Sequence, residues 1–210
     1  MEIIRNLDIQ VNKERVYRVM QLSKESAAYE ETNGIYEALE KEMTRIVSPQ
    51  IMLHLSDKIS EKVTEAYDNS EKSLYVVLTL GRKAAELPVK YFNRGQYLES
   101  FLANTMADDM LFRLTEMSYG IIFDYAKRMH VGLAEKLSPG DNIPLEFQKD
   151  ILEKADPQGC SGIGITEGYM LNPQKSSAFM FGANPGQPLH FDGKHLCCAC
   201  QNKNCLWREA

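Results

Sequence analysis

The chain spends little cysteine on most of its 210 residues: four of its five cysteines fall between Cys197 and Cys205, in CCACQNKNC. It also lacks a long apolar run. The longest, such as Leu74 to Leu80, falls far short of the roughly 20 residues that a helical membrane span requires. The opening MEIIRNLDIQVNKERVYRVM becomes charged within its first five residues and supplies no apolar signal region. These absences argue against membrane insertion and secretion and set the expectation of a cytoplasmic protein, in which closely spaced cysteines hold metal or do redox chemistry more often than they form structural disulfides. A single-signed charge stripe is missing too. Net charge is −5, the isoelectric point is about 5.5, and Lys and Arg are scattered, which argues against a nucleic-acid surface and for a neutral or modestly charged partner.

Several catalytic signatures are also absent. Gly162-x-Gly164-x-x-x-Gly168 has one spacer too many for a dinucleotide fingerprint and leads into a strand instead of a helix, and no Gly-Lys-Ser/Thr phosphate loop occurs. The histidines, at 54, 130, 190 and 195, have no metalloprotease spacing, and no nucleophile-elbow pentapeptide surrounds a serine.

What is present is a chain with 44% hydrophobic residues, enough for one substantial core. The expected division is residues 1–188 as a domain and 189–210 as a cysteine-rich tail. MEIIRNLDIQ reads as a strand, after which Asn12 caps a helix carrying Val16, Val19 and Met20. Ile35, Leu39, Met43 and Ile46 repeat at helical spacing up to Ser48-Pro49. Ser56 reads as the cap of a further helix with Ile59, Val63 and Tyr67 on one face. LYVVLTLG, Leu74 to Gly81, has the continuous β-branched character of a strand buried on both faces. Gln96 to Met129 reads as one long helix that Gly120 bends or divides. Leu137-Ser-Pro-Gly140 breaks regular structure, and Pro144 starts a short helix with Phe147, Ile151 and Leu152 on one face. Strands are expected at Ile163–Glu167 and Ser176–Gly182, and non-alternating helices and strands predict an α+β fold.

Two loops remain, Glu135 to Pro144 and Ile165 to Ser176. The order SPG, then PLEFQKDIL, then IGITEGYMLNPQKSSAFMFG resembles the S-adenosylmethionine-binding reactivation, or activation, domain of cobalamin-dependent methionine synthase, particularly its small free-standing bacterial relatives. VVLTLG, the long helix after it and the opening strand and helix extend the resemblance over nearly the whole chain. It implies a curved antiparallel sheet flanked by helices. It also implies a function: reductive methylation of an oxidised corrinoid from S-adenosylmethionine, with a corrinoid-binding protein or the methionine synthase itself as partner. In such a reaction the cofactors carry the hard chemistry, and the protein holds the sulfonium methyl in line with cobalt.

S-adenosylmethionine offers a carboxylate, an ammonium, a sulfonium and an adenine ring, so its site wants a cation, an anion, backbone donors and aromatic surface. The family pattern Arg-x-x-x-Gly-Tyr, aligned through Pro139-Gly140, places Lys136 at the arginine and Asp141 at the tyrosine. Lysine keeps the charge and loses the bidentate fork; aspartate removes the aromatic surface. Binding then leans on Glu167 and Tyr169, or the site has moved to another ligand, or the loop is mainly structural. The implied binding residues are Lys136, Ser138, Pro139, Gly140, Glu167, Tyr169, Lys175 and Ser176. The second-loop residues also have plainer readings, Glu167 as a surface carboxylate, Tyr169 as half-buried packing, and Lys175 and Ser176 as solvent-facing, while Pro139, Gly140 and Pro173 set loop geometry whatever binds.

In the tail, Cys197-x-x-Cys200-x(4)-Cys205 brings two thiolates to one metal across a tight turn and returns a third, with Cys198, His195, His190 or an external ligand as the fourth. Zinc and an iron–sulfur cluster both remain open, as does a tail of reduced thiols. Three functions therefore compete: the reactivator, a non-catalytic corrinoid-protein accessory that gates cobalt or delivers electrons through the tail, and a metal-sensing or storage protein.

Overall fold

A computed structural model of the chain describes residues 1–57, 70–187 and Cys205. Among the described residues, five strands form one antiparallel sheet in the order β1-β2-β3-β7-β4. They are β1 (Glu2–Arg5), β2 (Gln50–Asp57), β3 (Lys72–Thr79), β4 (Val131–Leu137) and β7 (Ser176–Pro185). A separate ribbon pairs β5 (Gly164–Ile165) with β6 (Leu171–Asn172). The helices are α1 (Lys13–Val19), α2 (Tyr29–Ile46), α3 (Arg82–Phe92), α4 (Tyr97–Arg128) and α5 (Phe147–Ala155). The fold is α+β, as the sequence predicts.

Period-two side-chain alternation explains why the sheet is covered on both faces. Ile51, Leu53, Leu74, Val76, Leu78, Phe179 and Phe181 project into a large inner core that α1 to α4 complete with residues such as Val16, Leu39, Leu87 and Met106. The intervening Met52, Tyr75, Val77, Ala178 and Met180 project the other way, into a smaller outer core with Ile151 and Ala155 of α5. β3 lies at the centre of the sheet, with Leu74 to Leu78 fully buried, as its β-branched run predicts. Asn12 caps α1, its side chain accepting from the Arg15 N–H at 3.0 Å. α4 runs unbroken through Gly120.

Some expectations are corrected. Ser56 is no helix cap: it lies in β2 opposite Ser73. The helix expected beyond it lies outside the described residues. The strand expected over Ile163–Glu167 shrinks to Gly164–Ile165, because it pairs only with the two residues of β6. The short helix begins its regular repeat at Phe147, after a turn closed by the Phe147 N–H on the Pro144 carbonyl. β2 was hidden by His54, Ser56 and Asp57 in its second half, and α3 by Pro88 in its interior.

Candidate functional site

β4 decides where the first loop begins. Its pairing with β7 shifts register between Leu133 and Lys136. Such a bulge reverses the side-chain alternation beyond it. Leu133 therefore packs into the inner core, while Leu137, four residues on, packs into the outer one. Glu135, Lys136 and Leu137 belong to the strand, so the irregular segment starts at Ser138.

The bulge turns Lys136 toward the inner face. Its Nζ donates to the Tyr119 hydroxyl at 3.0 Å and sits 4.2 Å from the Phe179 ring centroid and 5.5 Å from that of Tyr119. A half-buried ammonium over aromatic faces is held electrostatically.

From Ser138 the chain makes a tight turn. The Asn142 amide clasps it, accepting from the Ser138 N–H at 2.7 Å and donating to the Lys136 carbonyl at 2.8 Å. Gly140 has φ +80°, and a Cβ added there would lie 3.3 Å from Leu145 Cδ1, so both conformation and space favour glycine. The Gly140 N–H is spent on the Ile143 carbonyl. Ser138 and Pro139 are half-buried, while Asp141 is exposed.

The second loop is the turn of the β5–β6 ribbon. Thr166 organises it: its N–H donates to the Met170 carbonyl, its carbonyl accepts from the Tyr169 N–H, and its hydroxyl accepts from the Met170 N–H. Tyr169 holds φ +61°, an uncommon conformation for a bulky residue. The Gln148 side chain of α5 donates to its carbonyl at 2.9 Å. This fixes the loop and leaves Tyr169 42% exposed, two residues after the exposed Glu167. α5 also carries Asp150, whose carboxyl is raised above its ordinary value by burial first and by the nearby Glu153 charge second.

Lys175 and Ser176 point elsewhere. The Lys175 ammonium is buried on the inner side against α4, donating to Asn104 Oδ1 at 2.8 Å and Asp108 Oδ1 at 2.6 Å. Ser176 donates to Thr79 Oγ1 at 2.9 Å, and the Leu80 N–H donates to the Lys175 carbonyl. These contacts anchor the end of the second loop to the central strand. Lys136 and Lys175 both reach α4, but at Tyr119 and Asp108, eleven residues or about 16 Å apart along the helix axis. The two cations are therefore not brought together. The turn at Ser138–Gly140 and the Glu167–Tyr169 loop instead share the outer face, where Leu137, Ile143 and Leu171 pack in one cluster with α5.

Sequence reasoning missed Tyr119, Asn104, Asp108 and Gln148, because each reaches its partner across the fold. One local trace existed: Asn104 and Asp108 form an i,i+4 polar pair, bonded at 3.0 Å, within a mostly apolar stretch of α4.

Cys197, Cys198 and Cys200 lie outside the described residues. Cys205 is half-buried with a free thiol. Among the described residues, no group of three His, Cys, Asp or Glu side chains is arranged to hold a metal ion, and no helix is long and apolar enough to cross a membrane.

No protein-family model matches the chain, and neither does any curated protein sequence. Among solved structures it is similar to the crystal structure of the MetH reactivation domain bound to AdoHcy, at TM-score 0.59 and 10% sequence identity. The likeness covers 91% of this chain and 81% of that one. At such identity the shared property is the fold.

Proposed function

We propose that this chain is a reactivation protein related in role to the MetH reactivation domain, binding S-adenosylmethionine and presenting its methyl group to the corrinoid of a partner protein. The observation that carries the reading is the likeness, over nearly the whole chain, to a domain whose ligand AdoHcy is what S-adenosylmethionine becomes on losing its methyl group. The partner would be a corrinoid-binding protein or a cobalamin-dependent methionine synthase. In the balanced reaction, one electron from an external reductant takes cobalt(II) to cobalt(I). The cobalt(I) electron pair then bonds the methyl carbon, and the carbon–sulfur pair leaves on sulfur as S-adenosylhomocysteine.

The chain's own contribution is positioning. Glu167, exposed, would accept from the substrate ammonium, and the exposed Tyr169 would offer a ring face to adenine or sulfonium. The Ser138-Pro139-Gly140 turn would allow close approach of the ligand, and Lys136 would serve from the inner face, holding the strand that leads into that turn through Tyr119 and Phe179. Lys175 and Ser176 serve by anchoring the second loop through Asp108, Asn104 and Thr79.

Calorimetric titration of the full chain with S-adenosylmethionine and with S-adenosylhomocysteine tests this. Saturable binding is expected, weakened about tenfold by Glu167→Ala and by Tyr169→Ala, on the scale of one charge-assisted or cation–π contact. No heat from folded protein sinks the function; binding untouched by both substitutions sinks the site.

A further inference from the structure

The carboxylate of S-adenosylmethionine asks for a cation, and each loop of the candidate site carries one lysine, Lys136 in the first and Lys175 in the second. The fold turns both away. The bulge in β4 sends Lys136 to Tyr119 and Phe179 on the inner side, and Lys175 is buried there against Asn104 and Asp108. On the outer side the loops keep their carboxylates, Asp141 and Glu167, both exposed.

Backbone donors are committed as well. In the turn from Ser138 to Ile143, the Ser138 N–H donates to Asn142 Oδ1 and the Gly140 N–H to the Ile143 carbonyl, while the N–H groups of Asp141, Asn142 and Ile143 all donate to the Ser138 carbonyl; Pro139 has none. Among the described residues, the turn keeps the Ser138 hydroxyl and the second amide hydrogen of Asn142 as donors, whereas the carbonyls of Pro139, Gly140 and Asp141 accept from no group of the fold. The second loop commits the N–H groups of Thr166, Tyr169 and Met170 to itself. Those of Glu167 and Gly168 remain, but a ligand carboxylate brought to them meets the like charge of Glu167.

Other cations lie to either side. α5 carries Lys149 and Lys154 among Glu146, Asp150 and Glu153, with Lys149 3.9 Å from Glu153. Arg82, Lys83 and Lys90 belong to α3. Arg82 and Lys90 line, with Glu86, a cleft of about 380 Å³ against Asn172 to Gln174. That cleft meets the base of the β5–β6 ribbon, whose tip carries Glu167 and Tyr169, and Lys90 is already held by Glu42 at 2.8 Å.

A face rich in acceptors and poor in donors discriminates by charge. Given the proposed adenosyl ligand, on which this step rests, we infer that the two loops recognise it as a cation. They hold its ammonium and positive sulfur through Glu167, the Tyr169 ring and the acceptors of the first turn, and leave its carboxylate in solvent. On methyl transfer the sulfonium becomes a neutral sulfide, so the product loses a charge by which the substrate was held, and release is favoured.

Calorimetric titration of the full chain with S-adenosylmethionine, decarboxylated S-adenosylmethionine and S-adenosylhomocysteine reads the selectivity. The decarboxylated sulfonium is expected to bind at least as tightly as S-adenosylmethionine, and S-adenosylhomocysteine about tenfold more weakly, the scale of one charged contact. Raising sodium chloride from about 50 to 500 mM is expected to narrow that gap, because the loop charges are exposed. Arg82→Ala tests the nearest cleft and is expected to leave S-adenosylmethionine binding unchanged. A loss beyond about threefold on decarboxylation or on Arg82→Ala overturns the inference while the proposed function stands, as does S-adenosylhomocysteine binding as tightly as S-adenosylmethionine. Binding of the decarboxylated compound without binding of S-adenosylmethionine sinks the proposed ligand and leaves charge selection standing, and silence from all three compounds sinks both.

Discussion

The two faces of the sheet are built differently. The inner face is roofed by α1, α2, α3 and α4, and its core runs unbroken from Val16 and Tyr36 through Leu78 to Met106 and Phe179. Among the described residues the outer face has only α5, nine residues long, and the two loops, with a small cluster around Val77, Met180 and Ile151 between them and the sheet. Burial scales with the number of covering elements, so the inner face supplies most of the stability and the outer face carries loops that are held by a few hydrogen bonds. That division suits binding: a rigid frame presents short turns whose own packing is thin.

The deepest test of the inner face is electrostatic. Asp109 of α4 is fully buried; it accepts from the Asn12 N–H at 2.7 Å and lies 3.1 Å from Arg15 Nε. Asp109→Ala leaves the Arg15 guanidinium buried without that carboxylate and is expected to cost about 3–5 kcal/mol in urea unfolding. pH sharpens the point. Burial, ahead of the opposing Asn12 hydrogen bond and Arg15 charge, holds the Asp109 carboxyl above its ordinary value. The stability linked to a carboxyl raised in the fold is present below its unfolded value and is lost as pH rises through the folded value. The same unfolding measured on Asp109→Asn, which cannot ionise, should lack that decline.

Matched truncations then compare the faces directly. Leu78 is enclosed between the sheet and the inner helices, and Leu78→Ala is expected near the upper end of the range for a buried leucine, about 4–5 kcal/mol, because surroundings pinned on all sides cannot collapse into the cavity. Ile151 is equally buried but sits on α5, a short helix free to settle onto the sheet, so Ile151→Ala is expected near the lower end, about 2–3 kcal/mol. Equal losses would mean that the outer layer is as rigid as the inner one.

The same contrast explains what the sequence could reveal. α2 and β3 were legible because their patterns are complete locally: Ile35, Leu39 and Met43 recur at helical spacing, and LYVVL is continuous because β3 has a paired strand on each side and a core on each face. β4 was not. Gly132, Ala134 and Glu135 dilute its pattern, and the bulge before Lys136 reverses its alternation, so a strand ending looked like a loop beginning. At the candidate site, the turn residues Pro139 and Gly140 were readable from their chemistry. The directions of Lys136 and Lys175 were not, because they are fixed by Tyr119 and Asp108, which arrive from a helix distant in sequence.

The smallest expected effect lies at the rim of the inner face, where α2 meets α3. Glu42 accepts from Lys90 Nζ at 2.8 Å and from the Tyr91 hydroxyl at 2.7 Å. These bonds, Lys90's first, hold its carboxyl below the ordinary value of 4.5. A carboxylate depressed in the fold contributes stability that is complete above its unfolded value and is lost as pH falls through the lowered folded value. Lys90 is nearly half exposed, so solvent screens the pair, and Lys90→Met is expected to cost no more than about 1 kcal/mol at pH 7. Urea midpoints of wild type and variant should begin to converge as pH drops below about 4.5 and meet once pH lies under the lowered folded value, where the carboxyl is protonated in both states. A loss at pH 7 matching that of Leu78→Ala would place the stability of the inner face in its polar seam and not in its core.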